Sequence, residues 1–93
     1  GLVDAYLAAH KYKEALSMAK EAVQAIPKNA KTITLIGRVL AHLPDGADKA
    51  KRAFQRALAI DRLHVDAVLA LADLYMSSGE YDRCIELLRQ SIE

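Results

Sequence analysis

ADKAKRAFQRAL, residues 47–58, decides the fold, because the chain repeats it in altered form as YKEALSMAKEAV at 12–23 and YDRCIELLRQSI at 81–92. The small residues Ala15, Ala50 and Cys84 recur at steps of 35 and 34. Tyr6, Leu40 and Tyr75 step by 34 and then 35, and Ala22, Ala57 and Ser91 by 35 and then 34. One extra residue between Leu40 and Ala50 reconciles all three sets. A period of 34 built from two amphipathic helices predicts an all-α array of antiparallel helix pairs stacked in one dimension. The product of such a stack is a surface rather than a reaction.

Working outward from that stretch, the helical pattern extends over the whole chain. Gly1–Ala9 reads as a first helix cut short at its start, with Leu2, Val3, Tyr6 and Leu7 at spacings that share a face. Tyr12–Ile26 is its partner, with Ala15, Leu16, Ala19, Ala22, Val23 and Ile26 inward. Pro27 stops it, and Asn29 is suited to cap the next helix, about Ala30–Leu43, with Ile33, Ile36, Gly37 and Leu40 inward. LPDG breaks that helix, with Asp45 or Asp48 able to cap the fourth. Gly46 is read as a residue of wide backbone freedom and hence as a hinge. A fifth helix near Val65–Ser78 buries Val68, Leu71, Ala72 and Tyr75, and Gly79 ends it in a left-handed conformation. A sixth begins near Tyr81 and runs to the end of the chain. The expectation is six helices with turns near residues 10–11, 27–29, 43–47, 61–64 and 79–80, divided into units 1–29, 30–64 and 65–93.

Composition narrows the function classes. With 93 residues, 13 Lys+Arg against 12 Asp+Glu and a net charge of +1, the chain lacks the cationic surplus of a dedicated nucleic-acid binder. No apolar run approaches the ~20 residues that span a bilayer, and no basic-then-apolar leader opens the chain, so no membrane contact is expected. A single cysteine fits a reducing compartment. There is no HExxH, CxxC pair, Walker loop or GxGxxG. His10, His42 and His64 are far apart in sequence, each at a helix end or turn, and Ser17, Ser77 and Ser78 have no histidine placed as a base. No catalytic residue, cofactor or metal is expected. Cys84 takes a position that calls for a small buried residue, where thiols are inert. Lys49, Arg52 and Arg56 form a basic stripe on one helix face, read as solvated because no aromatics interleave it.

The residues also carry a family pattern. Val68-x2-Leu71-Ala72-x2-Tyr75, then Cys84-x3-Leu88, resembles the tetratricopeptide (TPR) motif, as does Ile33-x2-Ile36-Gly37-x2-Leu40 followed by Ala50-x3-Phe54. The first unit keeps Leu2-Val3-x2-Tyr6, Ala15-x3-Ala19, Ala22 and Pro27, while Arg62 stands where proline is usual. GLVDAYLAAHKYKEALSMA, KTITLIGRVL, DAVLALADLY and the stretched LPDGADKAK turn resemble, more narrowly, the C-terminal half of the subunit-seven TPR family of the anaphase-promoting complex. That resemblance implies a structural, non-catalytic scaffold segment of a mitotic ubiquitin ligase. Its partners would be other TPR subunits, and its setting the nucleus and cytoplasm.

In the TPR family the first helix of each pair lines a concave groove. Carried onto this chain, the candidate protein-binding lining is Asp4, Lys31, Thr34, Arg38, His42, Asp66, Leu69, Asp73 and Met76. TPR proteins that hold a chaperone's terminal carboxylate use Lys and Asn there. Thr34, Arg38, Asp66 and Asp73 in those places argue against that use. Arg38 has two readings, a partner for an acidic peptide or for Asp73 across the groove. The alternatives to a complex scaffold are an adaptor holding an extended peptide and, less favoured because Asp4, Asp66 and Asp73 are acidic, a helical-repeat RNA binder. Leu74, Leu87 and Ile92, with Leu71 or Leu88 at their margin, are expected to form an exposed apolar strip through which the chain self-associates.

Overall fold

In the computed structural model, which describes residues 1–92, six helices follow one another: α1 Leu2–Ala8, α2 Tyr12–Ala25, α3 Ala30–His42, α4 Ala47–Ile60, α5 Val65–Ser77 and α6 Tyr81–Ile92. Glu93, expected to continue α6, lies outside the described residues. No strand occurs among the described residues. Each helix packs on its neighbour in sequence, and α3 also touches α5, giving a body of 35 × 26 × 18 Å.

Local chemistry sets the turns. α1 and α5 end alike: the His10 amide donates to Leu7 O and that of Lys11 to Tyr6 O, while Gly79 donates to Met76 O and Glu80 to Tyr75 O. This Schellman closure needs a left-handed residue after the cap, and His10 (φ 61) and Gly79 (φ 75) supply it. The α3–α4 connection, Leu43–Gly46, is one residue longer than the other two turns within pairs. It closes as a β-turn, with the Gly46 amide donating to Leu43 O, Pro44 in second place and Asp45 (φ 58) in third. Two expectations fail here. Neither Asp45 nor Asp48 caps α4, whose N-cap is Gly46 with no side-chain bond. Nor is Gly46 a hinge of wide angles, since its φ is −90°. It must be glycine because a Cβ there would sit 2.0 Å from the Leu40 carbonyl oxygen. Asn29 does cap α3, its Oδ1 accepting from the Thr32 amide at 3.1 Å, and the buried Thr32 hydroxyl closes the turn onto Ile26 O at 2.9 Å.

Two apolar clusters result. One joins α3 to α6 through Ile33, Phe54, Leu71, Tyr75 and Cys84; the other joins α1 to α3 through Val3, Ala15, Ala19 and Val39. Ile36 packs against both, so α3 is a shared wall. Val39, fully buried on the second face of α3, was not anticipated. Ile26, expected inward, is 54% exposed because α2 ends one residue before it. At the α3–α4 crossing a Cβ on Gly37 would lie 2.6 Å from the Phe54 ring, which is 1% exposed. Cys84 is buried in the same cluster as Ala72 and Tyr75, as its repeat position demands.

One polar staple ties α4 to the α5–α6 turn. Lys51 Nζ donates to Glu80 Oε2 at 2.6 Å and to Ser78 Oγ at 3.2 Å, lying 6.0 Å from the Tyr75 ring centroid. The Lys51 and Ser78 hydrogen bonds hold the Glu80 carboxyl below its ordinary value. A depressed folded value means that the stabilisation is present above the unfolded value and disappears as pH falls through the folded one. Glu80→Gln should therefore lower the melting temperature at pH 7, and the gap between variant and parent should close as the pH drops below about 4.5. Equal melting temperatures for variant and parent at pH 7 would show the ion pair to be inert.

The close helix crossing gives a second expectation. Gly37→Ala should destabilise by about 1–3 kcal/mol, although alanine is the better helix former, because the added methyl must displace a confined ring. Combining it with Phe54→Leu should cost less than the sum of the two single changes in chemical denaturation. Additive losses would place the strain elsewhere.

Candidate functional site

α1, α3 and α5 are the first members of their pairs, and the contact between α3 and α5 creates the surface that the groove residues share. Two cavities open along it. The larger, about 430 Å³, is lined among others by Asp4, Lys31, Thr34, Arg38, His64 and Asp66. The smaller, about 200 Å³, has Ala41, Phe54, Ala70 and Leu74 as its apolar part and Arg38, His42, Asp73 and Ser77 as polar lining. Arg38 belongs to both.

The structure sorts the candidates by availability. Arg38 pairs with Asp4, Nη2 to Oδ1 at 2.7 Å, and not with Asp73. Both side chains are about half exposed, so the pair contributes at most about 1 kcal/mol. Its larger effect is on the groove, where Asp4 rather than Asp73 pairs with the cation that lines both cavities. Thr34 lines the larger cavity but is 3% exposed, and its hydroxyl donates to Ala30 O at 2.6 Å. Lys31, Asp66 and Asp73 are exposed. Leu69 and Met76 are each 55% exposed on α5, outside both cavities.

Three features were not anticipated. Phe54 and Leu74 reach the groove, Phe54 from α4, a helix read only as a packing partner. His10 and His42, distant in sequence, flank one side chain: His10 Nδ1 is 2.7 Å from Tyr12 Oη, and the His42 ring stacks on Tyr12 with centroids 5.8 Å apart. This ties the exposed end of α3 to the α1–α2 turn. His64 N-caps α5 and lines the larger cavity, its Nε2 buried and without a hydrogen-bond partner among the described residues. Periodicity gives no signal for the groove positions of Phe54, Leu74 and His64 or for the stacking of His42 on Tyr12, since these depend on how neighbouring helices rotate about their axes. No group of three or more His, Cys, Asp or Glu side chains able to hold a metal occurs among the described residues.

The expected apolar strip is displaced. Leu74 and Leu87 are half-buried against the core and Leu71 is 2% exposed. The exposed apolar residues of α6 are Tyr81 (60%), Ile85 (52%), Leu88 (39%) and Ile92 (85%), spaced along one face. The difference is a rotation: α6 turns Cys84 and Leu87 toward α5 and leaves the adjacent stripe uncovered.

Comparison with known proteins agrees with this architecture. The chain is 40% identical over 93 residues to anaphase-promoting complex subunit 7 of Arabidopsis thaliana and 33% identical over 92 residues to that of Homo sapiens. It spans only 17% and 16% of the length of those relatives. A solved structure, the crystal structure of MamA, superposes with a TM-score of 0.80 at 26% identity, covering 98% of this chain and 53% of that one. The family model described as tetratricopeptide repeat matches residues 46–93, the segment that holds α4, α5 and α6. The repeat period and helix pairing run through the matched residues, and the chain belongs to the tetratricopeptide repeat family.

Proposed function

We propose that this chain is a non-catalytic, protein-binding scaffold segment of an anaphase-promoting complex subunit of the seventh type. Its work is then done in the nucleus and cytoplasm, within the ubiquitin ligase that controls mitosis. The observation that carries the reading is the 40% identity to the Arabidopsis thaliana subunit over 93 residues, the full length of this chain. The repeat units are 1–29, 30–64 and 65–93, each contributing its first helix to the groove. Protein partners are favoured over RNA because α5 carries Asp66 and Asp73 and no basic residue. No described helix is long and apolar enough to cross a membrane. Affinity purification of the full-length protein followed by mass spectrometry should recover other TPR subunits of the ligase. Recovery of a single unrelated partner would favour a peptide-holding adaptor instead.

The α6 stripe supports a contact of its own. One unit back, Ile85, Leu88 and Ile92 correspond to Lys51, Phe54 and Leu58 of α4, and α5 covers those positions, leaving Phe54 only 1% exposed. Among the described residues nothing covers the α6 stripe in the same way. In the isolated chain a second copy fills that place, stacking its α1–α2 face on α6. Light scattering at tens of micromolar should give a mass above the 10.2 kDa monomer, reduced to the monomer by Ile85→Glu or Ile92→Glu. A monomer mass for the parent chain would remove this contact.

A further inference from the structure

We infer that the α3–α5 part of the groove selects a segment with a Lys or Arg flanked by apolar side chains, anchored on Asp73. The inference rests on the reading of the chain as a protein-binding scaffold and adds the chemistry of the partner. Four observations carry it. Asp73 lines the 200 Å³ cavity, whose walls include the apolar Phe54, Ala70 and Leu74. No cation lies within ion-pair distance of it among the described residues, because Arg38, which lines the same cavity, is held by Asp4 at 2.7 Å. α5 itself supplies no basic residue. Leu69 and Met76, one turn before and one turn after Asp73, are each 55% exposed.

These residues form a chemical pattern of fixed length. Leu69, Asp73 and Met76 share a face of α5, and the rise from first to last is about 10 Å at ~1.5 Å per residue. An extended segment advances ~3.3 Å per residue with alternate side chains on one side, so positions i, i+2 and i+4 span about 13 Å. With the difference of about 3 Å taken up by the reach of the side chains, apolar, basic and apolar side chains at those positions meet Leu69, Asp73 and Met76, or in the reverse order if the segment runs the other way. An acidic segment would place its charge beside Asp73 and find no free cation at that end of the groove. At the opposite end the larger cavity is lined by an exposed cation, Lys31, and an exposed anion, Asp66, so it favours neither sign, and the selective charge is Asp73.

The test is a titration of the isotopically labelled 93-residue chain, followed by amide chemical shifts. The probe is a seven-residue peptide with Leu, Lys and Leu at alternate positions and Ser between and outside them; the control replaces Lys by Glu. The Lys peptide should shift α3 and α5 amides saturably, and Asp73→Asn should weaken it about three- to fivefold, as should half-molar salt. Asp61→Asn, on the exposed α4–α5 turn, should leave the affinity unchanged. Equal or tighter binding of the Glu peptide, shifts confined to other helices, or indifference to Asp73→Asn would overturn the assignment. So would an absence of shifts with either peptide. The scaffold reading is tested separately by co-purification, so recovery of ligase subunits together with an unselective groove would reject the charge assignment alone.

Discussion

The stack depends on how closely α3 and α4 approach, and that distance is set where Gly37 faces Phe54. Phe54 is the largest of the fully buried side chains, and its ring occupies the space that any Cβ at residue 37 would need. Glycine inside a helix costs about 1 kcal/mol relative to alanine, whereas burying a phenylalanine contributes about 2–3 kcal/mol. Burial outweighs propensity, and a glycine survives in mid-helix. From that contact the ring also reaches the α3–α5 cavity. The same residue therefore sets the helix spacing and the depth of the groove.

α3 carries the stack in a second way. Ile33 belongs to the core shared with α4, α5 and α6, Val39 to the core shared with α1 and α2, and Ile36 touches both. A helix buried on two sides must be apolar over most of its circumference, and KTITLIGRVL reads that way. Its remaining face is narrow and holds Lys31, Arg38 and His42, which is why the groove contains its cations there. α5 repeats the arrangement with Val68, Leu71, Ala72 and Tyr75 buried and Asp66 and Asp73 outside. The charge character of the groove is thus what remains of two helices after packing has claimed their other sides.

Helix number, order and turn positions were legible because they depend on period and on a few local residues. The capping oxygen of Asn29 and the left-handed Gly79 act within three or four residues of themselves, so the sequence displays them directly. The extra residue near Gly46 was visible as a change of step, but its mechanism was not. The left-handed position falls on Asp45, and Gly46 is demanded by a carbonyl six residues earlier. What lay beyond reach were the relations between helices. Arg38 could be assigned to the groove but not to Asp4 rather than Asp73, because the choice depends on how α1 lies across α3. The orientation of α6 turns Leu87 toward the core and leaves Tyr81, Ile85, Leu88 and Ile92 as its exposed apolar residues, while Leu74 of α5 is half-buried.

That orientation separates two kinds of surface. The α6 stripe is almost wholly apolar and has the spacing of a helix–helix contact, so it discriminates little beyond shape. The groove sets the carboxylate of Asp73, unpaired among the described residues, beside a small apolar cavity, and on the inference drawn above it would discriminate by charge at modest affinity. A stack that extends through its ends needs the first property, since each unit must accept a neighbour of the same build. Recognition of a particular segment needs the second, because an unpaired buried or half-buried charge in the wrong partner is penalised more than the right pair is favoured. Residues such as Asp73 can therefore change identity without disturbing the stack, while Phe54, which serves both surfaces, cannot.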